Sequence, residues 1–564
     1  MVFVDEYPKT SKLIRSEFIV SFVALGIGAL FGIIQALHRT GLFRGVVSSA
    51  DYYTILTGHG VLLVLVFTTF FIAGLFTWGV ASSLERELPQ RLSWAAFWLM
   101  LTGTVLAAVS ILGGVFGSPN VLGHDLSADV LFTFYAPMKA HPAFYVGAAL
   151  LIVGSWIAGG AYFKSLWAWR ADNPDERIPL KTFMVVTTML MWYVSTIGVA
   201  VAVLVFLLPW SLGLIETVDP LLTRTLFWYF GHPVVYFWLM PAYLVWYTIL
   251  PKLSGGRLFS DPLARAVFVL FLLLSTPVGF HHQYTDPGIP EGFKFIAMTN
   301  TMFLLLPSLL TAFTVVASME HGARQRGAKG YLRWLRNLPW GKPAFAGCAL
   351  AGLMFAAGGF SGMINAGMNI NYLIHNTLWV PGHFHLTVGT AFALTAMAIS
   401  YWLVPQLTGK PLRQKAMATV QPYVWFAGMA LMSNAMHRAG LAGIPRRTAE
   451  PTYDEFAFQG VAGTVGEMRL QIAIGGTLLF VGAAMFLIVM ADTWIAQRGG
   501  TLSVNGHLPD PLSGPEHSPR ILDNYKLWTA IALVLIVIAY GPPLASMVGD
   551  AQGLFGPGSP PIPV

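Results

Sequence analysis

Two histidines stand two residues apart in Trp379-Val380-Pro381-Gly382-His383-Phe384-His385, near one end of an apolar stretch that runs to about Leu403. Each residue of an α-helix turns about 100°, so the two rings point roughly 200° apart. They cannot easily share one small metal ion, but each can ligate its own flat cofactor on its own side of the helix. Gly382 lets a bulky ring lie close to the backbone, and Pro381 loosens the helix there. Four more histidines, His59, His232, His281 and His282, fall within or at the ends of other apolar stretches. Polar side chains inside a membrane are costly and mark functional sites. His281 and His282 are adjacent and follow Pro277 and Gly279, which loosen the chain, so both rings can converge on one ion. With His232 they would make a three-imidazole site with an open position. All-nitrogen ligation suits copper or zinc and disfavours oxygen-preferring ions. His59 and one of the 383/385 pair could hold a six-coordinate, electron-transferring haem. The other would then hold a five-coordinate haem facing the three-histidine ion. In an apolar interior, neutral imidazole is the expected ligand.

The elements that must position these rings are membrane helices. Of 564 residues, 55% are hydrophobic and 10% charged, far from the balance of a soluble domain. Apolar runs of transmembrane length recur throughout, about thirteen of them. They lie near 17–37, 51–82, 93–116, 141–163, 182–209, 223–250, 262–282, 296–319, 343–365, 374–404, 417–438, 467–495 and 526–548. The expected fold is therefore an all-α polytopic membrane protein, one transmembrane domain over 1–548 with a Gly/Pro-rich tail over 549–564. The net charge of +7 is no nucleic-acid footprint, because the basic residues sit in short loops between spans. Lys9, Lys12 and Arg15 precede the first span, Arg86 and Arg91 follow the second, and Lys164, Arg170, Arg177 and Lys181 follow the fourth. Lys252, Arg257 and Arg265 follow the sixth, Arg324 to Lys342 the eighth, and Lys410, Arg413 and Lys415 the tenth. All fall on one side, which puts the N-terminus inside and the C-terminus outside. No small-residue cleavage site follows the first apolar run, so it is expected to be retained as a span. The one cysteine, Cys348, rules out an intrachain disulfide, a cysteine-ligated iron–sulfur cluster and covalent haem attachment through Cys-x-x-Cys-His.

With this topology all six histidines reach a similar depth in the outer half of the membrane, carried by four spans of alternating direction. A scatter of unrelated residues would not do that.

Gly231-His232-Pro233-Val234-Val235-Tyr236, His281-His282, Pro381-Gly382-His383-Phe384-His385 and His59-Gly60 resemble subunit I of the haem–copper oxidases over essentially the whole chain. Arg224-Thr225-Leu226-Phe227-Trp228 and the thirteen spans are most similar to the B-type cytochrome c oxidases. The resemblance implies His59 and His385 as axial ligands of a low-spin, b-type haem, and His383 as the proximal ligand of a high-spin haem of a-type or a variant. His232, His281 and His282 would hold one copper ion. Tyr236, on the same helical face as His232, would be covalently joined to it and would supply an electron and a proton when the O–O bond breaks. The implied activity is reduction of O₂ to water in a bacterial or archaeal plasma membrane, coupled to proton translocation. Electrons would come from cytochrome c through a subunit II carrying a two-copper centre, since this chain has no cysteine cluster for one. A quinol donor and a nitric oxide reductase, which shares the six histidines, are the alternatives. Tyr236 and the absence of glutamate in spans six to eight favour the oxidase.

Protons must reach the site from water. Tyr236, Tyr243 and Tyr247 lie within about 20° of one line on a helix. Ser308, Thr311 and Thr314 descend span eight in the same direction, and Ser260 opens span seven. Together they are similar to the proton pathway of the B-type branch. Val234 stands where A-type oxidases carry a glutamate, so a single tyrosine and hydroxyl path is expected. The outside pair Arg446-Arg447 resembles the arginines that hold haem propionates, for which arginine is the usual bidentate partner. His375 and Asn376 fall at the same level, and Asn371 stands where relatives often carry an aspartate.

Overall fold

The computed structural model describes residues 2–113, 119–121, 123–126, 134, 136–449, 462–497 and 508–550; the expected tail beyond 550 lies outside them. Helices follow one another throughout: α1 (Pro8–His38), α2 (Ser49–Leu84), α3 (Gln90–Leu112), α4 (Pro142–Asp172), α5 (Leu180–Ser211) and α6 (Pro220–Leu253). Then come α7 (Asp261–Leu274), α8 (Glu291–Gln325), α9 (Pro343–Ala366), α10 (Trp379–Thr408), α11 (Lys415–Leu441), α12 (Ala462–Ile495) and α13 (Tyr525–Asp550). The only sheet among the described residues pairs two residues with two. This is an all-α polytopic membrane fold. Length and composition suit eleven of the helices to crossing a membrane, two fewer than expected.

The two that fall short are α7 and α11, and the sequence says why. The expected span 262–282 is a helix of only 14 residues, then a break, then a 3₁₀ turn over Gly279–His282. Pro277 cannot donate to the carbonyl four residues back, and its ring collides with it, so the helix stops at Leu274. α11 is long enough at 27 residues but carries Gln421, Ser433, Asn434, His437 and Arg438. The span expected from 374 begins at Trp379; a short helix, Met368–Ile374, and a turn precede it.

Prolines also bend the helices near the histidines. α6 is interrupted at His232, before Pro233, and α8 at Leu304, before Pro307. Two π-helical turns, Val61–Phe67 and Thr387–Phe392, begin within two residues of His59 and His385. Such turns change the facing of the residues around them and are frequent at functional sites.

One end of the bundle carries the basic loops. There Arg265, 1% exposed, pairs with Asp261 at 2.6 Å and Asp523 at 3.1 Å, and Arg177 reaches Asp523 at 2.8 Å. A strap over residues 508–523 crosses this end ahead of α13. Arg257 donates to the carbonyls of Asp510 and Pro511, and Arg177 to those of Pro515, Ser518 and Pro519. Leu512 N–H adds a bond of 2.7 Å to Leu258 O. Beneath the strap lies a chamber of about 870 Å³ whose walls include Trp78, Lys181, Tyr247, Trp402 and Gln406.

Candidate metal centre

His232, His281 and His282 converge. One ring nitrogen of each lies within 4.8 Å of the other two. The interruption before Pro233 aims His232 out of α6, and the 3₁₀ turn swings His281 and His282 towards it. Ring centroids stand 4.4 Å apart for His232 and His281 and 4.2 Å for His281 and His282. His232 Nδ1 and His282 Nε2 face each other at 3.2 Å. Two neutral imidazoles so placed both offer nitrogens to one point, as a shared cation would require. Trp228 stacks on His282 at 4.0 Å and 9°, fixing that ring. Thr301 Oγ1 lies 2.9 Å from His281 Nδ1, which leaves Nε2 of that ring for the metal.

His383 faces this trio across a small cavity whose walls include Tyr236, Ser308, Gly362 and Asn365. Its Nδ1 lies 3.0 Å from Gly358 O and 3.1 Å from Ser361 Oγ, so Nε2 is the nitrogen left to bind a metal. A Cβ at Gly362 would sit 2.7 Å from His383 Cε1, and α9 needs glycine there for the ring to fit. No carboxylate is among the cavity-lining residues.

His385 points to the other side of α10 and meets His59 of α2. Their ring centroids are 6.3 Å apart and the planes 24° from parallel. A metal–imidazole bond of about 2 Å, with the ring centre about 1.1 Å beyond the nitrogen, puts two axial rings about 6.2 Å apart. The gap therefore fits one six-coordinate iron. His59 Nδ1 donates to Gly28 O at 2.8 Å and His385 Nδ1 to Pro381 O at 2.7 Å, which turns both Nε2 atoms inward. Such partners fix tautomer and ring orientation. Gly32 of α1 makes room: a Cβ there would lie 2.9 Å from His59 Cε1. The surrounding cavity of about 350 Å³ is otherwise lined mainly by apolar side chains, including Leu25, Val64, Phe67, Met429 and Met432. Phe384 lines both this cavity and the one at His383.

At its polar rim stand Arg446 and Arg447, together with Gln35 of α1 and Arg39 just after it. The loop that carries the pair is zipped to the turn before α10. Arg446 N–H donates to Asn376 O at 2.9 Å and its Nη2 to Asn376 Oδ1 at 2.8 Å. Arg447 and Asn376 both adopt positive φ. His375 Nδ1 donates to Asn371 Oδ1 at 3.1 Å, and Asn371 Nδ2 donates to Asn365 O at 2.6 Å. The amide is used at both ends, and an aspartate could not make the second bond. Burial, and then the positive charge of Arg446, hold the His375 imidazole below its ordinary value, so it is neutral at pH 7.

The proposed path residues are brought together in part. Tyr243 donates to Ser308 Oγ at 3.3 Å, and Ser308 also lines the cavity of Tyr236. Tyr247 and Thr311 bond at 2.7 Å, and Tyr247 borders the chamber under the strap. The Thr314 hydroxyl donates to Leu310 O at 2.8 Å, its carbonyl accepts from Ser318 Oγ at 2.6 Å, and Ser260 caps α7 by accepting from Leu263 N–H. Neither is hydrogen-bonded to the tyrosines among the described residues. Ser318, which sequence reasoning missed, continues the line and accepts from Phe259 N–H at 2.9 Å. Thr301, Ser361, Gln35 and Arg39 were missed too. Their only signal is polarity within or at the ends of apolar spans, and partners far along the chain give no local spacing to read.

Residues 12–478 match the family described as cytochrome c and quinol oxidase polypeptide I. Cytochrome c oxidase subunit 1 of Thermus thermophilus is 41% identical over 98% of this chain and 97% of its own length. Cytochrome c oxidase polypeptide 1 of Halobacterium salinarum is 27% identical over 82% and 75%. A haem–copper terminal oxidase dimer determined by cryo-EM superposes with a TM-score of 0.89 and 37% identity, over 98% of this chain and 95% of that one. These are oxidases, and the reductase alternative gives way to them. The chain belongs to the haem–copper oxidases, as the subunit I that performs their oxygen chemistry.

Proposed function

We propose that this chain is the catalytic subunit of a B-type, proton-translocating cytochrome c oxidase. The observation that carries the reading is the pairing of two imidazole sites back to back on α10, His385 with His59 and His383 with the 232/281/282 trio. When bound, a low-spin haem between His59 and His385 conducts electrons, and a high-spin haem on His383 with copper on the trio reduces O₂ to water. The all-imidazole trio fits copper, and neutral nitrogens suit its dry surroundings.

The chain's own residues bind, orient and supply protons. His232 Nε2 is buried with no hydrogen-bond partner, and Tyr236 lies one turn on, their centroids 5.0 Å apart. That orphaned nitrogen supports a bond from His232 to a ring carbon of Tyr236, formed as the N–H and C–H bonds break and their two electrons and two protons pass to O₂, the oxidant the activity supplies. The Tyr236 phenol then holds a proton at the cavity. Ser308, Tyr243, Thr311 and Tyr247 pass protons to it from the chamber under the strap, with Thr314 and Ser260 farther out. Arg446 and Arg447 hold the haem propionates, and His375, its one proton bonded to Asn371, stands beside them.

In this reading all thirteen helices cross the bilayer as one domain. The basic end faces inside, and both metal sites lie in the outer half. A partner subunit II with a two-copper centre delivers electrons from cytochrome c. Metal and pigment analysis of the purified protein tests the proposal. Two haems and one copper per chain are expected; protein that binds both haems yet carries non-haem iron or no copper would overturn it.

A further inference from the structure

The first span carries an acidic residue for which the oxygen chemistry has no task. Glu17 is 2% exposed, and its Oε2 is buried without a hydrogen-bond partner. Gly74 of α2 forms part of its wall: a Cβ there would lie 3.3 Å from Oε2. A carboxyl group inside a membrane is expensive, and where one persists facing the bundle interior it marks a proton or ion pathway.

Its surroundings are nearly free of charge. Tyr162 of α4 is within electrostatic reach, and its hydroxyl donates to Ala73 O at 2.9 Å and lies 3.3 Å from Thr77 Oγ1. The other elements packed on α1 carry Asp5 and Glu6 ahead of it, and Asp51, Tyr52, Tyr53 and His59 on α2. Arg91 lies on α3, Tyr401 on α10, and Glu467, Arg469 and Asp492 on α12. None makes an ion pair or hydrogen bond with Glu17 among the described residues.

Glu17 is one member of a polar line. Thr10, Glu17 and Ser21 lie within about 40° of one another around α1, and all three are buried. At the basic end, the Thr10 backbone N–H and hydroxyl both bond to the Glu87 carboxylate. Farther in, Ser21 Oγ donates to Phe67 O at 2.9 Å, at the end of the π-turn that follows His59. Two turns beyond, on the same face, Gly28 O accepts from His59 Nδ1. Glu17 and Gly28 are separated by about 16 Å of helix. Trp78, one turn from Gly74, opens on the chamber under the strap.

We propose that Glu17 is a proton-exchanging carboxyl coupled to the oxidation state of the His59/His385 site. When an electron arrives at that site, the carboxylate takes one proton from water at the basic end and becomes the neutral acid. When the electron leaves, the proton is returned. No other bond changes. The driving force is electrostatic: an added negative charge favours a proton on a buried acid, and a low-dielectric interior screens the effect weakly. This position is separate from the tyrosine and hydroxyl line that ends at Tyr236. The proposal rests on the reading of His59 and His385 as haem ligands.

Reduced-minus-oxidised infrared difference spectra of the purified holoenzyme test it, read in the region of the carboxylic-acid carbonyl stretch. A band in that region is expected for the native chain, lost in Glu17→Gln and displaced in Glu17→Asp. Identical spectra from all three, with low-spin haem absorption intact, would overturn the role of Glu17 and leave the ligand reading standing. A native sample without low-spin haem absorption would overturn both.

Discussion

Tyr236 differs from the other tyrosines of α6 in where its hydroxyl leads. Tyr243 and Tyr247 each bond to a hydroxyl of α8, whereas Tyr236 borders the cavity between His383 and the trio. Its phenol proton is thus the one nearest the oxygen chemistry. Replacing it with phenylalanine removes that proton and keeps the ring. Tyr236→Phe should retain both haem spectra and the copper content while O₂ uptake falls by about 100-fold or more, the range expected for losing a positioned acid. Turnover near the native rate would remove Tyr236 from the mechanism. The same scale shows what a sequence hides. The types and spacing of the six histidines announce metal sites, and the opposed facing of His383 and His385 follows from helical rotation alone. The carbonyls of Gly28, Gly358 and Pro381, which decide which ring nitrogen is free, are backbone atoms, and no residue type advertises them.

Among the elements, α6 and α8 act as a pair. Proline interrupts each of them, and below the interruptions their polar faces meet through Tyr243–Ser308 and Tyr247–Thr311. The second contact is the shorter, 2.7 Å against 3.3 Å, and it lies nearer the chamber. Thr311→Val should therefore slow proton uptake by several-fold to about tenfold, roughly one hydrogen bond's worth. Electron arrival at the low-spin haem should be unchanged. A pH-indicator dye in flow-flash measurements reads both, and native uptake in the variant would take Thr311 out of the path. Thr314 was expected on the line because it descends span eight, and Ser260 because it opens span seven. In three dimensions Thr314 bonds back to its own helix and Ser260 caps α7. Spans were legible because a bilayer demands long apolar runs, and the breaks in α6, α7 and α8 leave those runs apolar. The shortness of α7 was half-visible in Pro277 and Gly279, which loosen the chain but do not say where the helix ends.

At the scale of the whole molecule, orientation can be read chemically because Cys348, the lone cysteine, is fully buried. Thr40 and Lys329 are exposed in loops at opposite ends of the bundle. In sealed, right-side-out membranes a Thr40→Cys chain should react with an impermeant maleimide, and a Lys329→Cys chain only after permeabilisation. The native chain should react in neither state, and the reverse pattern for the two variants would invert the topology. The strap over 508–523 carries a consequence in time. The ribosome makes it only after α12, yet its carbonyls complete the hold of Arg177 and Arg257 on the cover above Tyr247. A nascent chain therefore leaves that floor open to bulk water until residues 508–523 have been made.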